Sequence, residues 1–142
     1  MKFMISFVFS ASMLFALESS IIKAEIINSV FSGLVVEKEM VIWSDNKDIL
    51  KSIKSNKIHK TSIKCMDANF IILETFSDID RRCLDKHIFV LSYEMLNELP
   101  QSFGALFWKK GRVNIILIEP RLKEKSIEAS SALKPYIEEK VW

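Results

Sequence analysis

Two apolar runs joined by a polar turn dominate the hydrophobic pattern in the second half of the chain. The runs flank Lys109-Lys110-Gly111-Arg112, where Gly111 can take the positive φ that other residues resist. This pattern predicts a β-hairpin over residues 104–118. Its second run, Val113 to Ile118, is β-branched and predicts a central strand buried on both faces. Pro120 suits the first turn of a helix, which we expect to follow directly.

Helical and strand patterns alternate in the first half. Glu25 to Val36 carries apolar residues at positions 26, 27, 30, 31, 34 and 35, a spacing that predicts a helix with one wide apolar face. Met40 to Trp43 is a short apolar run that predicts a buried strand. Ser44-Asp45-Asn46 then offers N-caps for a helix over Lys47 to Ser55. Strand and helix together predict a β-α unit.

Further strand-then-helix units follow. Asn69 to Leu73 and His87 to Leu91 are apolar runs, each followed by polar residues and a short helical pattern. The segment 57–64 predicts an edge strand or a connection. Ser130-Ser131 or a nearby residue could cap a final helix through Tyr136 to Val141, interrupted or restarted near Pro135. Repeated strand-helix units call for parallel pairing with right-handed crossovers. The predicted fold class is α/β: a small, mostly parallel sheet with flanking helices, to which the C-terminal hairpin adds an antiparallel element.

The first residues have the features of a signal peptide. A basic start precedes an apolar run of about 15 residues, shorter than the ~20 that an ordinary membrane span needs. Cleavage after Ala16 or after Ala24 fits the pattern, so residues 1–24 are assigned to the signal and 25–142 to one exported domain. The alternative is an uncleaved anchor, the one case in which we expect membrane contact. Both readings export the domain and predict a periplasmic location.

Composition agrees with a single folded domain. The 142 residues are 49% apolar with 3 Gly and 3 Pro, which is not typical of disordered chains. The formal net charge is +2, and removing residues 1–24 lowers it by one. A nearly neutral domain lacks the basic surface of nucleic-acid-binding proteins, so we expect no nucleic-acid partner.

Cys65 and Cys83 are the two cysteines of the chain, and both lie in the exported part. An even pair in an oxidising compartment predicts a disulfide. Each cysteine precedes an apolar run by four residues, which places both at the same end of two neighbouring parallel strands. The alternative is two separate thiols that only pack. No metal site is expected, because His59 and His87 have no ligand spacing to either cysteine.

Catalytic motifs do not occur in the sequence. It contains no nucleophile elbow, no Gly-rich loop and no Ser-His-Asp or carboxylate pair at a recognisable spacing. We therefore predict no catalytic residue, no cofactor and a non-enzymatic role. A folded exported domain without catalytic groups must act by binding.

The hairpin tip is the first candidate binding site. Phe107 and Trp108 stand beside Lys109 and Arg112, and exposed aromatic residues with arginine are favoured at protein contact sites. Alternation along a strand puts Phe107 and Trp108 on opposite faces, so one of them can face outward. The alternative is a core aromatic residue beside a solvated charged turn.

The carboxyl ends of the parallel strands are the second candidate site, for a small polar or anionic ligand. Ligands of open parallel sheets collect at these ends, often at helix N-termini. Ser44, Asn46, Ser92 and Tyr93 follow the predicted strands and could surround such a ligand. The alternative is that these residues only cap helices.

A series of features in residues 40–137 carries a family resemblance. In order, it contains a cysteine-led strand (65–73), the step Leu91-Ser92 before a helix, Phe103-Gly104, the hairpin residues Gly111-Arg112-Val113, and a helix with Ile127 to Leu133. This order resembles the YfiR-like family of periplasmic regulators. The chain is also similar to small exported proteins of Campylobacter-type bacteria.

Resemblance to the YfiR-like family implies a small α/β domain with a protein partner. Members of that family bind the periplasmic sensor part of an inner-membrane signalling protein, typically a diguanylate cyclase, and restrain it. The second hypothesis is a small solute-binding domain resembling half of a type 2 periplasmic binding protein. A purely structural envelope protein is a third.

Overall fold

The computed structural model describes residues 19–76 and 79–142. Helix α1 spans residues 19–32, and the other helices are α2 (Lys47–Asn56), α3 (Tyr93–Glu98) and α4 (Glu119–Glu124). The strands are β1 (Leu34–Val35), β2 (Val41–Ser44), β3 (Lys60–Thr61), β4 (Phe70–Leu73), β5 (His87–Val90), β6 (Ser102–Lys109), β7 (Arg112–Ile118), β8 (Glu128–Ala129) and β9 (Ile137–Glu138). Short 3₁₀ turns cover Cys65–Asp67, Arg81–Cys83 and Ser131–Tyr136.

One seven-stranded sheet organises the described part of the chain. Its strand order is β3-β2-β4-β5-β6-β7-β9, and β1 pairs with β8 in a separate antiparallel ribbon. Strands β2 to β6 run parallel, β7 is antiparallel to β6, and β9 is parallel to β7. This confirms the predicted α/β fold with a mostly parallel sheet and an antiparallel hairpin. The segment 57–64 contributes the edge strand β3.

Two apolar clusters cover the two faces of this sheet. Along β4, Phe70 and Ile72 belong to one cluster, while Ile71 and Leu73 belong to the other. The first cluster is covered by α1, α2 and α4, and the second by α3 and the 3₁₀ turns that contain the cysteines. We call them the α1 face and the α3 face. At the centre of the α1 face, Phe31 lies 5.3–6.1 Å from the rings of Phe70, Phe89 and Phe103.

Local signals place helix α2 as predicted. The side-chain oxygen of Asn46 accepts hydrogen bonds from the backbone N–H groups of Asp48 at 3.0 Å and Ile49 at 3.1 Å. The helix stops at Lys57, which takes the left-handed conformation with φ 55°. Its residues Ile49 and Ile53 are fully buried on the α1 face.

Helix α1 ends earlier than its apolar pattern predicts. The helix stops at residue 32, and the predicted helical residues Leu34 and Val35 form strand β1 instead. Gly33 lies at this change of direction, where an added Cβ would stand 2.8 Å from the side chain of Leu133. A larger residue at position 33 would therefore force the side chain of Leu133 to move.

The hairpin forms as predicted, but its second strand is less buried than predicted. Lys110 and Gly111 have φ values of 53° and 75°, as a two-residue turn of the hairpin type requires. In β7, however, only Leu117 and Ile118 are buried, and Val113 is 42% exposed. The prediction of a central strand buried on both faces is wrong for the half next to the turn, because β9 pairs with Leu117 and Ile118 only.

The final helix predicted from a cap near Ser130-Ser131 through Tyr136 to Val141 is also wrong. Residues Ser131–Tyr136 form a 3₁₀ turn, after which Ile137–Glu138 forms strand β9. Pro135 has no backbone N–H and cannot continue an α-helix from the preceding turn. The extended backbone of β9, which follows this turn, instead pairs with Leu117 and Ile118 of β7.

The predicted disulfide is present. Cys65 and Cys83 are joined with their Cα atoms 6.1 Å apart, and Cys83 is fully buried. The bond links the two 3₁₀ turns that precede β4 and β5, so both cysteines lie at the amino ends of neighbouring parallel strands, as predicted. A buried disulfide fits an exported protein. Among the described helices, none has the length and apolar character needed to cross a membrane.

The assigned signal segment, residues 1–24, lies mostly outside the described residues, which begin at 19 within this part of the chain. Residues 19–24 therefore belong to helix α1 in the described part of the chain. Ala24 is fully buried in the core, and Lys23 lies 4.0 Å from the carboxylate of Glu74. Cleavage after Ala24 would remove both residues from the folded domain, whereas cleavage after Ala16 would leave all of the described helix in place.

Candidate functional site

A pocket of about 750 Å³ lies beyond the carboxyl ends of β5 and β6. Its position is the one at which open parallel sheets commonly bind ligands. We call it the aromatic pocket, after its residues Tyr93, Phe107, Trp108 and Trp142. The rest of its wall is formed by Leu91, Ser92, Glu94, Lys109, Asn114 and Ile116.

Helix α3 and the hairpin hold the aromatic residues of the pocket. The hydroxyl of Ser92 accepts a hydrogen bond from the backbone N–H of Met95 at 3.1 Å, and this cap starts α3 at Tyr93. The ring of Tyr93 meets that of Phe107 edge to face, with centroids 5.6 Å apart. Such a contact fixes the orientation of both rings.

Arg121 fixes the other end of helix α3. Its guanidinium donates hydrogen bonds to the backbone carbonyls of Leu96 at 2.8 Å and Ser102 at 3.1 Å. The carbonyl of Leu96 lies in the last turn of α3 and would otherwise have no helical partner, whereas Ser102 is the first residue of β6. Burial lowers the pKa of Arg121. The helix that carries Tyr93 is therefore anchored at both ends.

Phe107 and Trp108 lie on opposite faces of the sheet, as predicted from strand alternation. Phe107 packs with the cluster on the α3 face. Trp108 is 43% exposed, and the ammonium of Lys23 in α1 lies 5.8 Å from the centre of its ring. Trp142 is 77% exposed, with Lys140 4.2 Å from its ring centre. The pocket thus combines packed and exposed aromatic rings with cations nearby.

Residues from both sequence-based sites meet in the aromatic pocket. Ser92 and Tyr93 were predicted for a small ligand, whereas Phe107, Trp108 and Lys109 were predicted for a protein partner, and all five line this one pocket. Arg112 pairs with Lys109 across the hairpin and is exposed just outside it. The two hypotheses therefore concern the same surface.

The structure does not bring Ser44 and Asn46 to this pocket. Ser44 is the last residue of β2 and Asn46 follows that strand, and β4 separates β2 from β5 in the sheet. Ser44 accepts a hydrogen bond from the backbone N–H of Asn46 at 3.1 Å, and Asn46 caps α2. Asn46 therefore performs the capping role that the sequence left as the alternative, and Ser44 stabilises the turn that leads into the helix.

At the carboxyl ends of β2 and β4, polar groups of the chain bind one another. The carboxylate of Asp45 accepts hydrogen bonds from the backbone N–H groups of Glu74 at 2.8 Å and Thr75 at 2.9 Å. The amide of Asn46 donates to the carboxylate of Glu74 at 2.7 Å. These contacts satisfy the groups that an anionic ligand would otherwise bind here.

Sequence reasoning missed several residues of the pocket wall. Trp142 follows the last strand by four residues and belongs to no apolar run, so no periodic pattern marks it. Asn114 sits in an apolar strand, where its amide was a signal of a position that is not fully buried. Its neighbour Ile116 lines the same pocket because both face the α3 side of the sheet.

His87 lies at the opposite end of the sheet from the aromatic pocket. Its ring packs on that of Phe70 with centroids 4.7 Å apart, and its Nδ1 atom is buried without a hydrogen-bond partner in the described part of the chain. Burial, and then the charge of Lys125, lower the pKa of His87. It borders a cavity of about 320 Å³ whose charged residues are Glu37, Lys38, Asp85, Lys86 and Lys125.

We expect His87 to make folding pH-dependent. As the pH falls through about 6.5, the unfolded chain takes up a proton before the folded chain does, so unfolding is favoured. The stability contributed by neutral His87 is thus complete above that pH and is lost as the pH falls through its lowered folded pKa. Thermal melts at pH 7.5 and 5.5 measure how far the melting temperature falls with pH. This fall should be smaller for His87→Gln than for the wild type. His59→Gln is the matched control and should show the same fall in melting temperature as the wild type. The same fall in His87→Gln would contradict this expectation.

Metal binding finds no support in the described part of the chain, where no group of three or more His, Cys, Asp or Glu side chains is placed to hold an ion. The exposed pair Asp80 and Arg82 is a local contact at 2.8 Å, and Arg82 lowers the pKa of Asp80 to about 2. It lies beside the disulfide turn and not at the aromatic pocket.

No protein-family model matches this chain, and no curated protein matches its sequence. The YfiR-like resemblance therefore stays a prediction drawn from the order of its residues.

Proposed function

We propose that this chain is an exported, non-enzymatic binding protein that contacts the periplasmic sensor part of an inner-membrane signalling protein, such as a diguanylate cyclase. The observation that carries the proposal is the aromatic pocket with the basic hairpin tip beside it. Tryptophan, tyrosine and arginine are the residues that most often dominate the energy of protein interfaces. Here such residues are held on rigid elements, and several of them are exposed.

Charge supports a partner with an acidic surface. Lys109, Lys110 and Arg112 place three cations within four residues at the hairpin tip, and no carboxylate pairs with them in the described part of the chain. Complementary charge would orient a partner and speed its association. At this tip the positive charge stands beside the exposed ring of Trp108.

A periplasmic location is part of the proposal. The signal-like start, the buried disulfide and the YfiR-like order of elements support it. We place the cleavage site after Ala16, because a chain that starts at residue 25 would lose the buried Ala24 and the contact of Lys23 with Trp108.

A crosslinked pull-down from the native envelope tests the proposal. The tagged wild-type protein should recover a membrane sensor protein, identified by mass spectrometry. The variant Trp108→Ala/Arg112→Ala should bind that partner at least about 30-fold more weakly, as expected for the loss of an interface hot spot. Both residues are exposed, so the melting temperature should stay close to that of the wild type.

The matched control replaces an apolar and a basic residue elsewhere. Ile63→Ala/Lys64→Ala changes two exposed positions after β3, on the far side of the sheet order from the hairpin. This variant should recover the partner as the wild type does. Equal recovery with Trp108→Ala/Arg112→Ala would remove the hairpin from the contact, and recovery of no membrane protein would remove the regulator hypothesis.

A small-solute function is the second candidate, favoured by the size of the aromatic pocket. Its volume of about 750 Å³ is in the range of small-molecule sites, and Ser92, Glu94 and Asn114 supply polar groups among the rings. A ligand that binds the native state must raise the melting temperature. Melts against pooled metabolites should then give a hit that Tyr93→Ala abolishes; a silent screen would argue against solute binding.

A further inference from the structure

Strand β7 has a free outer edge next to the hairpin turn. On its inner side, β6 pairs with every residue from Arg112 to Leu117. On its outer side, β9 pairs with Leu117 and Ile118, and no described strand pairs with residues 112–116. Each strand directs its backbone N–H and C=O groups to both sides, so this stretch presents unpaired groups along the edge of the sheet.

Cavities border this edge on both faces of the sheet. On the α1 face, Val113 and Ile115 line a groove of about 610 Å³ with Ile26 of α1 and Tyr136 of the last 3₁₀ turn. On the α3 face, Asn114 and Ile116 line the aromatic pocket. Side chains of a strand point alternately to the two faces, so a strand added to this edge would direct successive side chains into the groove and the pocket in turn.

The charge at the turn constrains what can occupy the edge. Lys109, Lys110 and Arg112 stand where the free edge begins, without a carboxylate partner in the described residues. The groove beside Val113 and Ile115 is mainly apolar. An extended segment with apolar residues at alternate positions and an acidic residue beside the turn would match both features.

We propose that residues 112–116 of β7 bind an extended, alternately apolar segment of the partner protein as an additional strand of the sheet, with an acidic residue of that segment at the hairpin tip. In this mode of recognition the backbone hydrogen bonds give affinity, and the groove and pocket give specificity. The inference rests on the proposed function, because it assigns the binding mode of the partner that the hairpin contacts. Strand β9 already pairs with the same edge of β7 at Leu117 and Ile118, the two residues that directly follow this stretch.

A random peptide library displayed on phage, selected on the oxidised full-length domain, is the probe. We expect the selected peptides to carry apolar residues at alternate positions and an acidic residue at one end. The variant Val113→Asp should lose binding of these peptides by at least about tenfold, because it places a charge in the groove. The same change at Val35, which is also an exposed strand valine, is the control and should leave binding unchanged.

Backbone methylation separates strand addition from ordinary side-chain contact. A selected peptide is synthesised with N-methyl groups at one position at a time, which removes one N–H donor and adds bulk along one edge. Strand addition predicts an alternating result: methylation weakens binding about tenfold or more at every second position and has little effect at the positions between. A uniform loss, or no loss, would overturn the proposal, as would the absence of any selected peptide.

The oligomeric state decides whether a second copy fills the edge. Light scattering that shows a dimer, together with a monomer for Val113→Asp, would assign the edge to self-association and overturn the proposed partner segment. A monomeric wild type that selects such peptides supports it. If Trp108→Ala/Arg112→Ala loses the envelope partner while the peptide results fail, the proposed function stands and only the strand-addition mode falls.

Discussion

Replacing Phe31 by alanine is expected to lower the free energy of unfolding by about 4 kcal/mol, the largest effect of any single change considered. Phe31 is fully buried on helix α1, and its ring lies within 5.3–6.1 Å of three other phenylalanine rings, which come from β4, β5 and β6. Removing it creates a cavity surrounded by rigid rings that cannot collapse easily. Urea denaturation followed by circular dichroism measures the change.

The matched control for this prediction is Phe76→Ala. Phe76 follows β4 and is 47% exposed, so its removal should change stability by no more than about 0.5 kcal/mol. A loss near 4 kcal/mol is a large share of the free energy of unfolding of a whole domain, which is roughly 5–15 kcal/mol. If Phe31→Ala lowered the free energy of unfolding by less than about 1 kcal/mol, helix α1 would not be a packed part of the folded domain, and cleavage after Ala16 would no longer be favoured over cleavage after Ala24.

Opening the disulfide is expected to cost about 3 kcal/mol of stability. The bond closes a loop with a sequence separation of 18 residues, and on the chain-entropy model a loop of this length restricts the unfolded state by roughly that amount. Cys65→Ala/Cys83→Ala removes the bond without leaving a polar group at the buried Cys83 site. Equilibrium urea unfolding should show a lower midpoint than for the oxidised wild type.

Reduction of the wild type provides the control for the disulfide. The wild type unfolded in the presence of dithiothreitol should match the double alanine variant, whose own stability should not respond to the reductant. Mass measurement after alkylation should find two blocked thiols in the oxidised protein and two free ones after reduction. Equal stability of the oxidised and reduced wild type would show that the bond does not restrain the unfolded chain.

Elements with a strong local signal were predicted correctly. The turn at Lys110-Gly111 needed only the conformational freedom of glycine and the apolar runs beside it. Helix α2 needed only its Asn46 cap and a buried stripe at Ile49 and Ile53. The disulfide followed from an even pair of cysteines at equal distances before two strands. In each case the residues that decide the structure are close together in the sequence.

Elements that depend on distant neighbours were predicted wrongly or missed. The apolar run of β7 reads as a buried central strand, but its burial depends on how far β9 extends beside it, and β9 pairs with two residues only. The end of the chain reads as a helix, but pairing with Leu117 and Ile118 makes it a strand. Periodicity reports what a segment can form and not which partner will cover it.

The candidate site shows the same division. Its aromatic and basic residues were predicted as a contact site, with a core aromatic residue as the alternative, and Ser92 and Tyr93 were placed at the carboxyl end of a strand. Their union in one pocket depends on β5 and β6 lying side by side, and on the chain end bringing Trp142 to the same place. Neither the adjacency of these strands nor the position of Trp142 can be inferred from residue patterns in a single sequence.

The sequence by itself determined the α/β class, the hairpin, the disulfide pairing and the chemistry of the hairpin tip, because turn residues, helix caps and apolar spacing act over a few neighbouring residues. Only the tertiary structure decided that Ser44 and Asn46 lie away from the pocket in the turn and cap before α2, and that residues 112–116 keep a free edge between two cavities. Such features arise from the order and length of paired strands. That order is a property of contacts between residues far apart in the chain.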